Sequence, residues 1–139
     1  MGPEIAMSLA KQINVIRASN AADRELAIQV LKSTYVNEKH WIQDEEKFFR
    51  PSDLEAKDIS WFVASNATQP IGVLRVMYNP PLELYKEYGM KALESGLDVE
   101  AFVKNNRIAE IGRFAVVPEF RKFIVVAAAL MREASRETV

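Results

Sequence analysis

Apolar and polar positions follow two different periods along the chain, and the changes between them mark its elements. Ile13-Asn14-Val15-Ile16 alternates and predicts a first strand. Ser19-Asn20 reads as a helix cap, with Asp23 in the first turn, where the helix dipole favours an acid. From Ala21 to about Lys39 the period becomes helical. Ala27, Val30, Leu31 and Thr34 share one face, which should pack on a sheet. Residues 40–58 are polar with isolated aromatics, Trp41, Phe48 and Phe49, and predict a short helix or lid-like loop broken at Pro51. Aromatics on such a segment anchor it to the body, or else line a substrate pocket.

Ile59 to Ser65 and Ile71 to Tyr78 read as two strands of a hairpin, joined by turn-forming residues from Asn66 to Pro70 and ended by Asn79-Pro80-Pro81. Residues 82–106 form a long connection with two short helices expected, Tyr85 to Leu93 and Asp98 to Lys104. A connection of that length inside a compact domain is often functional. A strand from Arg107 to Val117 follows, then a sharp turn through Pro118, then a helix from Arg121 to about Glu137. Phe123, Val126, Ala127, Leu130 and Met131 make that helix's core stripe, and its all-apolar first half should be buried on several sides. The order predicts one α+β domain over residues 1–139, a mixed and mostly antiparallel sheet flanked by helices.

Composition removes several kinds of function. The chain of 139 residues carries a net charge of -1, so nothing global points to nucleic acid or to an anionic membrane. It has no Cys, which excludes disulfides, thiolate metal sites and a Cys nucleophile. One His argues against a His-based metal site, so no metal is expected. No signal-like segment opens the chain, and the longest apolar run, Phe123 to Met131, is too short for a bilayer. A cytoplasmic protein is expected.

Candidate chemistry gathers between Arg107 and Met131. Glu110 and Arg113 are charges on a central strand, where charge is rarely buried unpaired. Glu110 is either a general base with a desolvated, raised pKa or half of a structural ion pair with Arg113 or Arg75. Residues 110 and 113 face opposite sides of a regular strand, so a direct pair between them needs a bulge, for which Gly112 is the natural place. Arg121 and Lys122 come at the start of a helix, whose unpaired N–H groups and positive dipole end suit an anion such as phosphate.

Val116-Val117-Pro118-Glu119-Phe120-Arg121 resembles the V-x-P-x-x-R/Q strand end of the GCN5-related (GNAT) N-acyltransferase superfamily. That family continues with two glycines that let backbone N–H groups close on a pyrophosphate, but Ile124 and Val126 stand in those places here. Glu110-Ile111-Gly112-Arg113-Phe114-Ala115-Val116 is similar to the E-x-S-R-F-x-V strand of acyl-homoserine lactone synthases and long-chain N-acyl amino acid synthases. The insert at 82–106 and the Gly72-Val73-Leu74-Arg75-Val76 strand fit the same branch.

The resemblance implies transfer of a long-chain acyl group from acyl carrier protein, or from acyl-coenzyme A, to the amine of an amino acid. No bound cofactor is implied beyond the phosphopantetheine thioester of that co-substrate. Glu110 would be the base, acting through a water. Arg113, Phe114, Ala115, Val116 and Trp41 would meet the acyl group or acceptor, with backbone N–H groups near Ala115 and Val116 holding the oxyanion. Val117, Arg121, Lys122, Phe123 and Ile124 would hold the phosphopantetheine. An acyl-coenzyme A-dependent N-acetyltransferase of a small amine, and a non-catalytic acyl-binding or interaction module, are the alternatives. The superfamily fold continues past the helix after the fourth strand, so residues 1–139 would be the N-terminal two-thirds of it, with a further segment or second chain completing the sheet.

Overall fold

Four strands form one antiparallel sheet in the order β1-β2-β3-β4. They are β1 (Asn14–Arg17), β2 (Ile59–Ser65), β3 (Pro70–Tyr78) and β4 (Ala109–Val116), in a computed structural model that describes residues 12–80 and 96–139. The α+β class is as expected, but every pairing among the described strands is antiparallel, so the sheet is not mixed there. The helix expected over Tyr85 to Leu93 lies outside the described residues.

The long first helix divides in two. α1 (Ala21–Leu31) is capped by Asn20, whose side chain accepts from the Asp23 N–H at 2.8 Å. It then widens into a π-helical stretch, Lys32–Glu38. A local cause is on hand: the Thr34 hydroxyl donates to the Val30 carbonyl at 2.7 Å, and Ser33 donates to the same carbonyl at 3.0 Å. Side-chain competition for helix carbonyls favours such irregularities. Ala27, Val30, Leu31 and Thr34 are all buried, as their spacing requires. α2 (Glu45–Phe48) and α3 (Pro51–Leu54) follow, with Pro51 in the first turn of α3. α4 (Val99–Asn105) precedes β4.

α5 spans Ile124–Thr138, and a 3₁₀ turn, Pro118–Phe120, lies between it and β4. The helix therefore starts three residues later than expected, and Arg121 and Lys122 lie in the turn before it. Ile124 also departs from the expected buried first half, for it is 80% exposed. At the first helical position its side chain points away from the sheet.

The core lies on both sides of the sheet. Phe62, Gly72, Leu74 and Val76 face α5, whereas Trp61, Val63, Val73 and Arg75 face α1, as alternation along paired strands dictates. Leu31, Leu74 and Leu130 are fully buried, each contributing roughly 1.5–3 kcal/mol of transfer free energy. A Cβ at Gly72 would stand 2.9 Å from Val126 Cγ1 and 3.0 Å from Leu130 Cδ1, so the absent side chain sets how closely α5 approaches. Arg17 and Tyr78 both donate to the Glu137 carboxylate and pin the other end of α5 to β1 and β3. Among the described residues nothing pairs with the outer edge of β4. No helix among them is long and apolar enough to cross a membrane.

Candidate active site

β4 carries the irregularity on which the site is built. Gly112 opposes Arg75 and Ala115 opposes Val73, so three steps on β4 match two on β3. The extra residue falls at Arg113–Phe114, beside Gly112, the place named for a bulge. Arg113 takes the strain, with φ at +47°, a left-handed backbone that non-glycine residues seldom adopt. The bulge brings Arg113 to the α1 side, where its guanidinium lies 4.2 Å from the Phe48 ring centroid.

A direct Glu110–Arg113 pair does not form. Glu110 instead accepts from Arg75 Nη2 at 3.4 Å, across the β3–β4 pairing, and its side chain keeps 28% exposure. A Cβ on Gly112 would stand 3.2 Å from Glu110 Oε1, so Gly112 leaves the carboxylate its room.

Two cavities flank this strand. The larger, about 730 Å³, lies between α1, the 41–58 segment and the sheet, with Tyr35, Trp41, Phe48, Phe49, Trp61, Arg75 and Arg113 among its lining. The smaller, about 400 Å³, lies at the C-terminal end of β4 and is lined by Thr34, Tyr35, Lys39, Trp41, Phe114, Ala115, Val116, Arg121, Phe123 and Ala127. The smaller cavity thus brings together Trp41, Phe114, Ala115, Val116, Arg121 and Phe123. Arg113 stands in the larger one, Glu110 on the sheet beside it, and Val117 is buried against Ile71, whose carbonyl accepts its N–H at 2.9 Å. Lys122 is exposed, its Nζ 5.6 Å from the Phe123 ring centroid. Phe114 lines the cavity with 41% exposure. Trp41, 66% exposed, lines both cavities, while Phe48 and Phe49 stack edge-on at 4.8 Å and also anchor the 41–58 segment to the core.

Arg121 is engaged twice. Its Nε donates to the Val116 carbonyl at 2.8 Å, and its other nitrogens grip Glu38 in a two-point pair. Those hydrogen bonds hold the Glu38 carboxyl below its ordinary range and raise the Arg121 guanidinium further. The first turn of α5, just beyond, has no side-chain cap.

Tyr35 was missed by sequence reasoning. It lines both cavities, and its hydroxyl donates to the Phe114 carbonyl at the bulge at 3.2 Å. Burial raises its pKa, although the Arg113 and Arg75 charges pull the other way, so the phenol stays a proton donor at neutral pH. Only a polar residue one step past the buried Thr34 marked it in the sequence. Glu38 was missed for the same reason, as one of many charges on a helix.

The fold has a counterpart. A crystal structure of a predicted acetyltransferase with acetyl-CoA, from Clostridium acetobutylicum, is similar over 91% of this chain and 76% of its own, with a TM-score of 0.54 and 15% sequence identity. The likeness is one of fold, the acyl-coenzyme A N-acyltransferase-like arrangement of sheet and flanking helices. No family model and no curated protein matches the chain.

Proposed function

We propose that the protein is an N-acyltransferase that moves an acyl group from a phosphopantetheine thioester to a primary amine. The observation that carries this reading is the pair of cavities that meet at Tyr35 and Trp41, beside a bulged strand in an acyltransferase-like fold. The thioester arm occupies the smaller cavity, along Phe114, Ala115 and Val116. Its phosphate lies toward Arg121, Lys122 and the uncapped start of α5, between Phe123 and Ile124. Val117 fixes the turn that aims them.

The amine nitrogen attacks the thioester carbonyl, and backbone N–H groups near Ala115 and Val116 take the oxyanion. Glu110 accepts the proton of the attacking amine through a water. Collapse expels the thiolate and leaves an amide, and the Tyr35 phenol, once it turns from the Phe114 carbonyl, hydrogen-bonds the departing sulfur. Arg121 must release Glu38 to take a phosphate.

Acyl-coenzyme A is the donor supported by the fold's counterpart, which holds acetyl-CoA. A long-chain acyl carrier protein as donor, and an amino acid as acceptor, rest on the likeness of 110–116 to the synthase strand. A fifth strand, from another segment or a second chain, would pair with the outer edge of β4. The deciding experiment incubates the protein with acetyl- and long-chain acyl-coenzyme A, or acyl carrier protein, and pooled amino acids and small amines. New N-acyl products are sought by mass spectrometry. Absence of product with every donor sinks the reading.

A further inference from the structure

We infer that the larger cavity is the acceptor site, and that it takes a monocarboxylate with a large apolar body, an amino acid with an aromatic or long aliphatic side chain, anchored through Arg113. The inference rests on the acyl-transfer reading for its reaction, but its binding claim stands on the cavity alone.

Arg113 is the reason. Among the described residues its guanidinium has no carboxylate partner, whereas Arg75 pairs with Glu110 across the same wall. It is nevertheless held in place, on a left-handed backbone and against the face of Phe48. The ring contact at 4.2 Å supplies no carboxylate acceptor, and the guanidinium's N–H groups suit a planar oxyanion. A strained residue that presents an uncompensated cation to a cavity is built to meet an anion.

The rest of the lining sets the anion's kind. Phe48, Phe49, Leu54, Trp61 and Met77 make the walls apolar. Trp61 is 5% exposed and its indole Nε1 is buried without an acceptor, a second donor group in the same wall. Asp44 and Asp58 also line the cavity. Set against Lys47 and Arg113 in the same lining, these two acids leave mixed charge that suits a ligand carrying both a carboxylate and an ammonium better than a dianion such as phosphate. About 730 Å³ falls within the ~300–1,000 Å³ of small-molecule sites. With its carboxylate on Arg113, such a ligand can turn its amine toward Tyr35, on the wall shared with the smaller cavity.

Both tryptophans of the chain, Trp41 and Trp61, line this cavity, so intrinsic fluorescence reports on it directly. The protein is titrated with L-phenylalanine, phenylalaninamide, 3-phenylpropionate and decanoate, with and without saturating coenzyme A. Coenzyme A binding is measured separately by calorimetry. Phenylalanine should bind saturably, and removing either the ligand's carboxylate or the guanidinium, by Arg113→Gln or Arg113→Gly, should weaken it by about tenfold or more, the loss of a charge-assisted pair. Equal binding of phenylalanine and its amide, or no binding of either, overturns the inference. Decanoate binding more tightly than phenylalanine also overturns it, and gives the cavity to the acyl chain. If coenzyme A binds while no carboxylate does, the acceptor assignment fails and the donor site survives. If phenylalanine binds through Arg113 and coenzyme A does not, the reverse holds.

Discussion

Glu110→Gln separates the two roles open to the central carboxylate. The change keeps the shape and leaves an amide oxygen that can still accept from Arg75 Nη2, 3.4 Å away. What is lost is charge assistance in a partly buried pair, worth about 1 kcal/mol. For a domain of this size that lowers the thermal midpoint by about 3–5 °C. If Glu110 takes the amine's proton, the same change removes a general base and costs about 10²-fold or more in turnover, at least ~2.7 kcal/mol of barrier. The two expected effects differ enough in size to be told apart. Thiol release from acyl-coenzyme A, with acceptor at saturation, gives turnover per folded molecule, and urea denaturation gives stability. The expected outcome is a large drop in turnover with a small drop in midpoint. Turnover within threefold of wild type, beside a clearly lowered midpoint, would refute the base and leave Glu110 as Arg75's structural partner.

Other perturbations follow from the same geometry. Gly72→Ala sets a Cβ 2.9 Å from Val126 Cγ1, and should lower stability by about 1–3 kcal/mol, read as a lower urea midpoint at unchanged slope. Arg113→Gly relieves a left-handed backbone worth about 1 kcal/mol. It also loses a cation–π contact worth about 0.5–1 kcal/mol, so stability should stay nearly level. Arg121→Gln should raise the donor's KM by about tenfold, the worth of one charge-assisted contact, with little change in kcat. Glu38→Gln should lower that KM, because the Glu38 carboxylate competes with phosphate for Arg121. Burial alone would raise the Glu137 carboxyl, but hydrogen bonds from Tyr78, Arg17 and Ser60 outweigh it and hold it below its ordinary value. Its stabilisation is therefore present above the unfolded pKa of about 4.3 and is lost as pH falls through the folded value. The gap in urea midpoint between wild type and Glu137→Gln should accordingly close below about pH 4.

The sheet was legible because its periods are clean. Ile59–Ser65 carries a β-branched and aromatic run bounded by turn residues, and its strand has those bounds. Parity tied a bulge at Gly112 to a direct Glu110–Arg113 pair; the bulge is present beside Gly112, but that pair is not. What parity could not give was the partner. Arg75 and Glu110 are 35 residues apart, and their meeting depends on a register that no local pattern specifies. Tyr35 and Glu38 were hidden for a related reason. Their partners, the Phe114 carbonyl and Arg121, lie 79 and 83 residues further along the chain. The start of α5 was misplaced because Pro118 and Arg121 fit a helical start, yet Pro118–Phe120 closes as its own short turn.

The two missing glycines change meaning once α5 is seen against the sheet. Ile124 and Val126 stand where the resembling family has glycine, and β-branched side chains aimed at that helix start would crowd a pyrophosphate and favour a carrier protein's single phosphate. Val126 is fully buried, and its Cγ1 fills the space above Gly72 on β3. It points into the core and crowds nothing at the helix start. The small residue that lets helix and sheet approach is on the strand instead of the helix. Ile124 alone remains near the anion path, and its side chain points to solvent. What stands before an incoming phosphate is therefore the Glu38 carboxylate on Arg121, an exchangeable ionic partner. A pyrophosphate, with more charge than a carboxylate, is better equipped to displace it than a single diester phosphate. This geometry favours coenzyme A over the carrier protein as donor in the proposed reaction.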